Sequence, residues 1–329
     1  MAAVPMVELW RGGRLESAHL GHAVVWGPGG IEAAWGDPAA VIFPRSSCKM
    51  IQALPLIESG AAAAAGLSAR QLALACASHQ GAAIHTEAVT AWLAALGLGE
   101  ADLRCGAHLP NDPEAQKALV CSETAPCQIH NNCSGKHTGF LTLTRHLKAG
   151  PEYVDPAHPV QRAVREAFED VTGEASPGFG IDGCSAPNFA TSVAGLARAM
   201  QFFAVANPEG NRREAAASRL ARAMMAYPEM VAGEGRACTH LMRAMAGKVA
   251  VKTGAEAVFV AILPEQKRGI ALKIVDGATR ASEAAVVALL VRYRALAPAD
   301  PVVAKYLTGP QRNWRGLVTG ELRLAAGFA

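Results

Sequence analysis

The sequence predicts an α/β (α+β) protein whose antiparallel sheet is built from strands near both chain ends, with a mostly helical region between them. Alternating or continuous apolar segments occupy residues 4–35 and return at 248–275 and 317–324. Between them, apolar residues recur at helical spacing, most clearly over 85–96 and 159–171. The simplest architecture places both strand groups in one sheet flanked by helices.

The N-terminal strands are the short apolar segments Val4–Trp10, His19–Trp26 and Ile31–Trp35. Gly12-Gly13 and Pro28-Gly29-Gly30 separate them and are typical turn sequences, so an antiparallel meander is expected. A fourth short strand, 40–44, leads into a helix that we expect to begin at Ser46.

The middle of the chain predicts helices with short loops. Pro55 should kink or end the first helix, and Ser68 should cap the next. The expected helices are 68–76, 85–96, a short one after Pro113, 131–148, 159–171, 188–205, 211–226 and 237–246.

The C-terminal region returns to strand periodicity over 248–254, 257–263 and 269–275, followed by a helix at about 281–296 and a last strand at 317–324. There is no internal repeat and no linker-like segment. We therefore expect residues 1–329 to form a single catalytic unit. Strands of about 1–45 and 247–329 would form its sheet layer, beside a helical region of about 50–245.

Composition excludes several classes of function. The 329 residues carry a net charge of only +3 with interspersed signs, which does not favour nucleic-acid binding. The longest apolar stretch is far shorter than a membrane span, and the first residues do not resemble a signal peptide, so a cytoplasmic protein is expected. The 8 cysteines include no Cys-x-x-Cys pair and are expected to be mostly reduced core thiols.

Ser46 and Lys49 form a Ser-x-x-Lys motif at the expected helix start. A serine hydroxyl becomes a nucleophile when a nearby base takes its proton, and an uncharged lysine can be that base. Backbone N–H groups at a helix start can also stabilise a developing oxyanion. The spacing alone equally fits a capping serine followed by a solvated lysine.

Lys252-Thr253-Gly254 gives the first motif more weight, because it stands where the second strand group begins. Ser-x-x-Lys early and Lys-Thr-Gly late are paired in the penicillin-recognising serine hydrolases. The Ser-Asp-Asn triplet of those enzymes is missing and no glutamate stands out as a deacylation base. A β-lactamase or transpeptidase is therefore not favoured.

Five ordered motifs together resemble the class 3 (rhizobial-type) L-asparaginases, a family related in fold to serine β-lactamases and glutaminases. The resemblance covers nearly the whole chain and implies a β-lactamase/transpeptidase-like fold. Its motifs are Arg45-Ser-Ser-Cys-Lys-Met-Ile-Gln-Ala-Leu-Pro-Leu, Ala77-Ser-His-Gln-Gly, His130-Asn-Asn-Cys-Ser-Gly-Lys-His, Gly183-Cys-Ser-Ala-Pro-Asn and Lys252-Thr-Gly.

The resemblance also implies roles for individual residues. Ser46 matches the nucleophile and Lys49 its activating lysine, while Ser78 and Lys252 match a second Ser–Lys pair. A zinc ion, expected to support substrate binding more than bond cleavage, would be held by Cys133, Lys136 and Cys184. The family is typically homodimeric. Residues expected near the substrate are Arg45, His137, Asp182 and Cys238.

Three functions stay open at this point. The first is hydrolysis of L-asparagine to L-aspartate and ammonia through a seryl acyl-enzyme. The second is a related Ser–Lys hydrolase acting on glutamine, another amide or a β-lactam. The third is a non-catalytic zinc-binding or ligand-binding protein on the same scaffold.

Overall fold

The structure is a computed structural model that describes residues 2–328. Over these residues the chain alternates strands and helices, with 3₁₀ turns at Arg45–Cys48, Glu100–Asp102, Gln128–His130 and Pro264–Gln266. The strands are β1 Val4–Arg11, β2 Arg14–Gly27, β3 Gly30–Trp35, β4 Val41–Ile42, β5 Phe179–Ile181, β6 Pro187–Phe189, β7 Thr191–Ser192, β8 Ala250–Gly254, β9 Val258–Leu263, β10 Arg268–Ile274, β11 Pro310–Arg312 and β12 Val318–Leu324.

The helices carry most of the middle of the chain, as the apolar periodicity predicts. Among residues 2–328, every helix is too short or too polar to cross a lipid bilayer. The helices are α1 Lys49–Gln52, α2 Leu54–Glu58, α3 Ala61–Ala64, α4 Ala69–Ala75, α5 Ala83–Ala95, α6 Pro113–Cys121, α7 Ser134–His146, α8 Pro159–Thr172, α9 Val193–Val205, α10 Arg212–Ala226, α11 Pro228–Val231, α12 Ala237–Ala244, α13 Thr279–Arg292 and α14 Pro301–Tyr306.

The chain divides into two compact units, each assembled from separate segments. The first, the sheet unit, contains the N-terminal segment to Ser47, the segment Thr191–Val205 and the C-terminal segment from His240. The second, the helical unit, contains Cys48–Ala190 and Ala206–Thr239. The expectation of one catalytic unit stays a prediction.

The main sheet of the sheet unit joins strands from both ends of the chain, which confirms the predicted fold class. Its order is β11-β12-β1-β2-β10-β9-β8, with β3 also paired to β2, and all its pairs are antiparallel. Helices α9 and α13 pack on it. Gly269 permits the close approach of α9, because a Cβ there would lie 2.1 Å from Gln201 N. The Lys-Thr-Gly motif lies on β8, at an edge of the sheet, as predicted.

The helical unit has its core among α2, α4, α5, α7 and α8. Trp92, Phe168 and Leu74 are fully or almost fully buried there. Small residues let the helices meet closely, since a Cβ on Gly135 of α7 would lie 2.5 Å from Leu74 O of α4. Ser68 caps α4 in a capping box with Gln71, as the sequence indicates.

Two of the differences between the predicted and the observed element boundaries concern the segments that carry Ser46 and residue 188. Ser46 does not begin an α-helix: it lies in the 3₁₀ turn Arg45–Cys48, and α1 starts at Lys49. The reason is local, since Ser47 N donates to Pro44 O at 3.2 Å in a three-residue step. The helix expected from residue 188 starts at Val193, because residues 187–189 pair with β5 and residues 191–192 pair with β4.

Candidate active site

Lys49 opens α1 and its side chain is almost completely buried, at 1% exposure. Its Nζ atom lies 3.0 Å from Ser78 Oγ and 3.0 Å from Cys133 Sγ. It also donates to the backbone carbonyls of Ala77 and Asn132. The amine therefore joins two of the predicted motifs, the one that contains Ser78 and the one that contains Cys133.

Backbone hydrogen bonds fix the loop that carries Ser78. Ser78 N donates to Val231 O at 2.9 Å, and His79 N donates to Asn132 O at 3.1 Å. The imidazole of His79 bonds Ser134 Oγ at 2.9 Å and accepts from Gly81 N at 3.1 Å. The position of Ser78 beside Lys49 is thus set by backbone contacts on both sides of it.

A second group of polar side chains surrounds Cys184, and we call Cys133, Lys136, His137 and Cys184 the thiol–amine cluster. All four residues are buried. Lys136 Nζ lies 3.0 Å from Cys184 Sγ, and Cys133 is hydrogen-bonded to Cys184. Three of the residues come from the start of α7, where helical spacing places them near each other.

Cys184 enters the cluster from the tip of the β5–β6 hairpin. Asp182 N donates to Ala186 O at 3.0 Å and Ser185 N donates to Asp182 O at 2.8 Å, which closes the tip. Ser185 has a φ of 68°, a left-handed conformation that side chains other than those of glycine and asparagine seldom adopt. The buried Cys184 and the half-buried Asp182 therefore lie on the same short loop.

The two thiols of the cluster have opposite acidities. The hydrogen bond with Cys133, the charge of Lys136 and the interaction with His137 hold the pKa of Cys184 well below its usual value despite burial. The same hydrogen bond and burial raise the pKa of Cys133. Burial alone would lower the pKa of Lys136, but the nearby sulfurs outweigh it and raise that pKa. The two shifts favour negative charge on Cys184 and positive charge on Lys136.

The residues predicted to hold zinc are gathered in this cluster. Cys133 and Cys184 supply two soft sulfur donors, and Lys136 adds an amine next to the second sulfur. Zinc binding would require the amine and both thiols to release their protons. Within residues 2–328, no group of three or more His, Cys, Asp or Glu side chains is arranged to hold a metal. The cluster thus offers two sulfurs and one amine as donors, and zinc binding stays a prediction.

Ser46 and Lys252 belong to the sheet unit, where the backbone brings their segments together. Gly254 lies against the turn that carries Ser46, since a Cβ on it would be 2.6 Å from Pro44 O and 3.0 Å from Ser47 N. Lys252 precedes Gly254 by two strand positions, so its side chain leaves β8 on the same face. Lys252 is fully buried, and its Nζ donates to Thr253 O at 2.8 Å.

The remaining predicted residues lie at separate points. Arg45 begins the turn with a φ of 53°, and Cys238 is buried near the start of α12. The charge of Asp182 acts on both Lys136 and Cys48. Sequence reasoning missed two residues that contact the predicted ones, Asn132 and Tyr153. Asn132 stands inside a quoted motif, whereas nothing in the sequence around Tyr153 points to the cluster.

Comparison with known proteins identifies the family of the chain. The L-asparaginase II family model matches residues 7–324. A structure of the glutaminase Mglu, in its tris and glutamate form, has 14% sequence identity and a TM-score of 0.50, covering 85% of this chain and 60% of that one. The native form covers 83% of this chain and 64% of that one, with 15% identity and a TM-score of 0.49.

A β-lactamase from Mycobacterium bovis has 13% identity and a TM-score of 0.48, covering 84% of this chain and 95% of that one. No curated protein matches the sequence. The chain spans 60–64% of the length of the two Mglu structures. The likeness to the tris and glutamate form of Mglu concerns the fold alone, while the family match over residues 7–324 concerns nearly the whole sequence. This chain belongs to the L-asparaginase II family.

Proposed function

We propose that this protein is an L-asparagine amidohydrolase that forms L-aspartate and ammonia through a seryl acyl-enzyme. Family membership over residues 7–324 supports hydrolysis of an amide. The observation that carries the proposal is the partly buried contact of 3.0 Å between Lys49 Nζ and Ser78 Oγ. An amine that is shielded from water and lies beside a hydroxyl can pass protons during acyl transfer.

In the proposed reaction, Ser46 Oγ attacks the side-chain amide carbon of asparagine and its proton passes to uncharged Lys49. The tetrahedral intermediate collapses, the C–N bond breaks, and the leaving nitrogen takes a proton and departs as ammonia. Water then attacks the aspartyl ester, gives up a proton, and returns Ser46 to its hydroxyl form. Lys49 Nζ is in hydrogen-bond contact with Ser78 Oγ, Ala77 O and Asn132 O, so the amine and the Ser78 hydroxyl can exchange a proton directly.

Ser78 then relays protons to and from Lys49. The pairing of Ser78 with Lys252 stays a prediction from the resemblance, as do the substrate contacts of Arg45, His137, Asp182 and Cys238. Cytoplasmic location and a homodimer also stay predictions. A zinc ion, if held by Cys133, Lys136 and Cys184, would supply a positive charge for binding the substrate.

Two assays test the function. The first measures ammonia release from asparagine and from glutamine, and the second measures hydrolysis of nitrocefin. We expect Ser46→Ala to lower asparagine turnover at least 10³-fold, on the order of what loss of a nucleophile costs. Ser47→Ala is the matched control, because the Ser47 hydroxyl donates to Pro44 O at 2.7 Å within the same turn. Full turnover by Ser46→Ala would reject the mechanism, and turnover of glutamine or nitrocefin alone would favour the second function.

Elemental analysis tests the metal separately. We expect Cys133→Ala and Cys184→Ala each to reduce bound zinc well below one ion per chain, since each removes a sulfur ligand. Cys121→Ala is the control, because Cys121 is an exposed cysteine at the end of α6. Unchanged zinc content in the first two variants would reject the assignment. Zinc binding without turnover of any substrate would favour the non-catalytic alternative.

A further inference from the structure

Tyr153 is a fully buried residue in the segment between α7 and α8. Its backbone carbonyl accepts from Gln161 Nε2 at 2.7 Å, which ties the segment to α8. Its ring lies edge-on to His137 at 5.5 Å and is tilted against Phe140 at 6.1 Å. Neither the sequence motifs nor the proposed reaction gives this tyrosine a role.

The hydroxyl of Tyr153 has two partners whose roles follow from their chemistry. Arg104 N donates to it at 2.7 Å, because a backbone N–H can only donate. His137 Nδ1 lies 3.0 Å from the same oxygen. Among the described residues, Nδ1 is thus the acceptor available for the hydroxyl proton. It follows that Nδ1 accepts this hydrogen bond and that the imidazole proton is on Nε2.

The other ring nitrogen, Nε2, is buried and has no hydrogen-bond partner among the described residues. The His137 ring interacts with Cys184, and Nδ1 is already occupied by Tyr153, so Nε2 is the nitrogen on the side of the sulfur. Lys136 Nζ lies 3.0 Å from the same sulfur, whereas the Cys133 thiol donates to Asn132 Oδ1 at 2.9 Å.

We propose that Tyr153 is a positioning residue that fixes His137 in its Nε2–H tautomer, so that the imidazole turns an N–H group, and not a lone pair, towards Cys184 and does not compete with that sulfur for a metal ion. The chain of hydrogen bonds runs from Arg104 N through the Tyr153 hydroxyl to His137 Nδ1. The tautomer does not depend on the proposed reaction; only the effect on zinc rests on the proposed function.

The test is the tautomer of His137, read from ¹⁵N chemical shifts in zinc-free protein at one fixed pH. The His137 signals are assigned by their loss in His137→Gln. In the wild-type protein we expect Nδ1 to show the shift of an unprotonated nitrogen and Nε2 that of a protonated one. In Tyr153→Phe, which keeps the ring but loses the hydroxyl, we expect a mixture of tautomers or the reverse assignment. Tyr227→Phe is the matched control and should leave the signals unchanged.

A wild-type His137 with its proton on Nδ1 overturns the proposal, and this measurement does not require any variant to fold. An unchanged tautomer in a folded Tyr153→Phe protein overturns it as well. With zinc alone as the probe, we expect Tyr153→Phe to bind about 10-fold more weakly or worse, the range typical of lost outer-sphere partners. If the wild-type protein binds no zinc, the zinc proposal is rejected. The tautomer measurement alone then tests the role of Tyr153.

Discussion

The thiol–amine cluster is held by ionisable side chains, whereas the turn that carries Ser46 is held by backbone packing. In the cluster, the buried Lys136 amine lies 3.0 Å from Cys184 Sγ, and the hydrogen bond with Cys133 and the charge of Lys136 lower the pKa of the Cys184 thiol. In the turn, the backbone of Pro44 and Ser47 packs so closely against Gly254 that there is no room for a side chain there. The contribution of the thiol–amine cluster to stability should therefore depend on pH and on the charge of each side chain. The contribution of the turn should depend only on whether a side chain is added to the packed glycine.

Within the helical unit, the two buried lysines sharpen this contrast. Lys49 and Lys136 each lie 3.0 Å from a sulfur atom. Lys49 also has two carbonyl acceptors and a hydroxyl, so its sulfur is one of several partners. The surroundings of Cys184 lower its pKa and so favour negative charge on that sulfur. The same distance thus describes two different interactions.

The largest effect is expected from Lys136→Met, which leaves the Cys184 sulfur without its cation. We expect a loss of about 3 kcal/mol in the free energy of unfolding, as for other broken buried ion pairs. Adding Cys184→Ala should recover at least about 1 kcal/mol, because the unpaired charge disappears with it. Urea unfolding of the zinc-free protein measures both.

Lys49→Met with Cys133→Ala is the matched cycle. Its recovery should be smaller, since the carbonyls of Ala77 and Asn132 stay without a donor in either background. Equal recovery in the two cycles would show that the sulfur contacts are equivalent and would remove the distinction.

The second prediction concerns acid. Burial lowers the pKa of His137 to about 4, against an ordinary 6.5. Between pH 6.5 and pH 4, His137 binds a proton in the unfolded chain but stays unprotonated in the folded protein, so the free energy of unfolding falls as the pH decreases. His137 should account for about 3 kcal/mol of that loss at the lower limit. Unfolding free energies at several pH values should therefore fall less steeply in His137→Gln.

His146→Gln is the control for this measurement, because His146 is an exposed residue at the end of α7. Its curve should run parallel to that of the wild-type protein, in which the buried His79, whose pKa burial also lowers, still contributes. A His137→Gln protein with the wild-type slope would show that His137 titrates normally.

The smallest effect is expected in the turn. In Gly254→Ala, the new methyl group would lie 2.6 Å from a backbone oxygen that cannot rotate away, so we expect a loss of about 1–3 kcal/mol. Gly29→Ala is the matched control, since a Cβ on Gly29 meets nothing within 4 Å. Thermal unfolding at two pH values separates packing from charge, because the Gly254→Ala deficit should not change with pH. A deficit no larger than that of Gly29→Ala would show that β8 does not depend on this close contact.

The strands of the main sheet could largely be predicted, because each carries its own period of apolar residues. The short pairs could not, since β4 and β7 consist of two residues each and are joined across about 150 positions of sequence, as Val41 and Ser192 show. No local period marks such a pair. The early start expected for α9 was wrong for the same reason, because β6 and β7 occupy its first residues.

The candidate site shows a similar division. The Ser-x-x-Lys and Lys-Thr-Gly motifs are visible in the sequence, but the contact of Lys49 with Ser78 joins residues 29 positions apart. Only the resemblance to the class 3 L-asparaginases connected Lys49 with Ser78. Tyr153 lay beyond both kinds of reasoning, because its role depends on a hydroxyl meeting a ring nitrogen from another helix.

The meander β1–β3 has a consequence for the newly made chain. Its strand β2 pairs on one side with β10, which lies far towards the C-terminus, through the register from Gly269↔Trp26 to Ile274↔Gly21. At typical synthesis rates of about 5–20 residues per second, β10 reaches the exit roughly 10–50 s after β2. During that time the backbone N–H and C=O groups of an apolar strand stand open to other nascent chains. Ribosome speed and chaperone supply would therefore govern how much of this protein is recovered soluble when it is overexpressed.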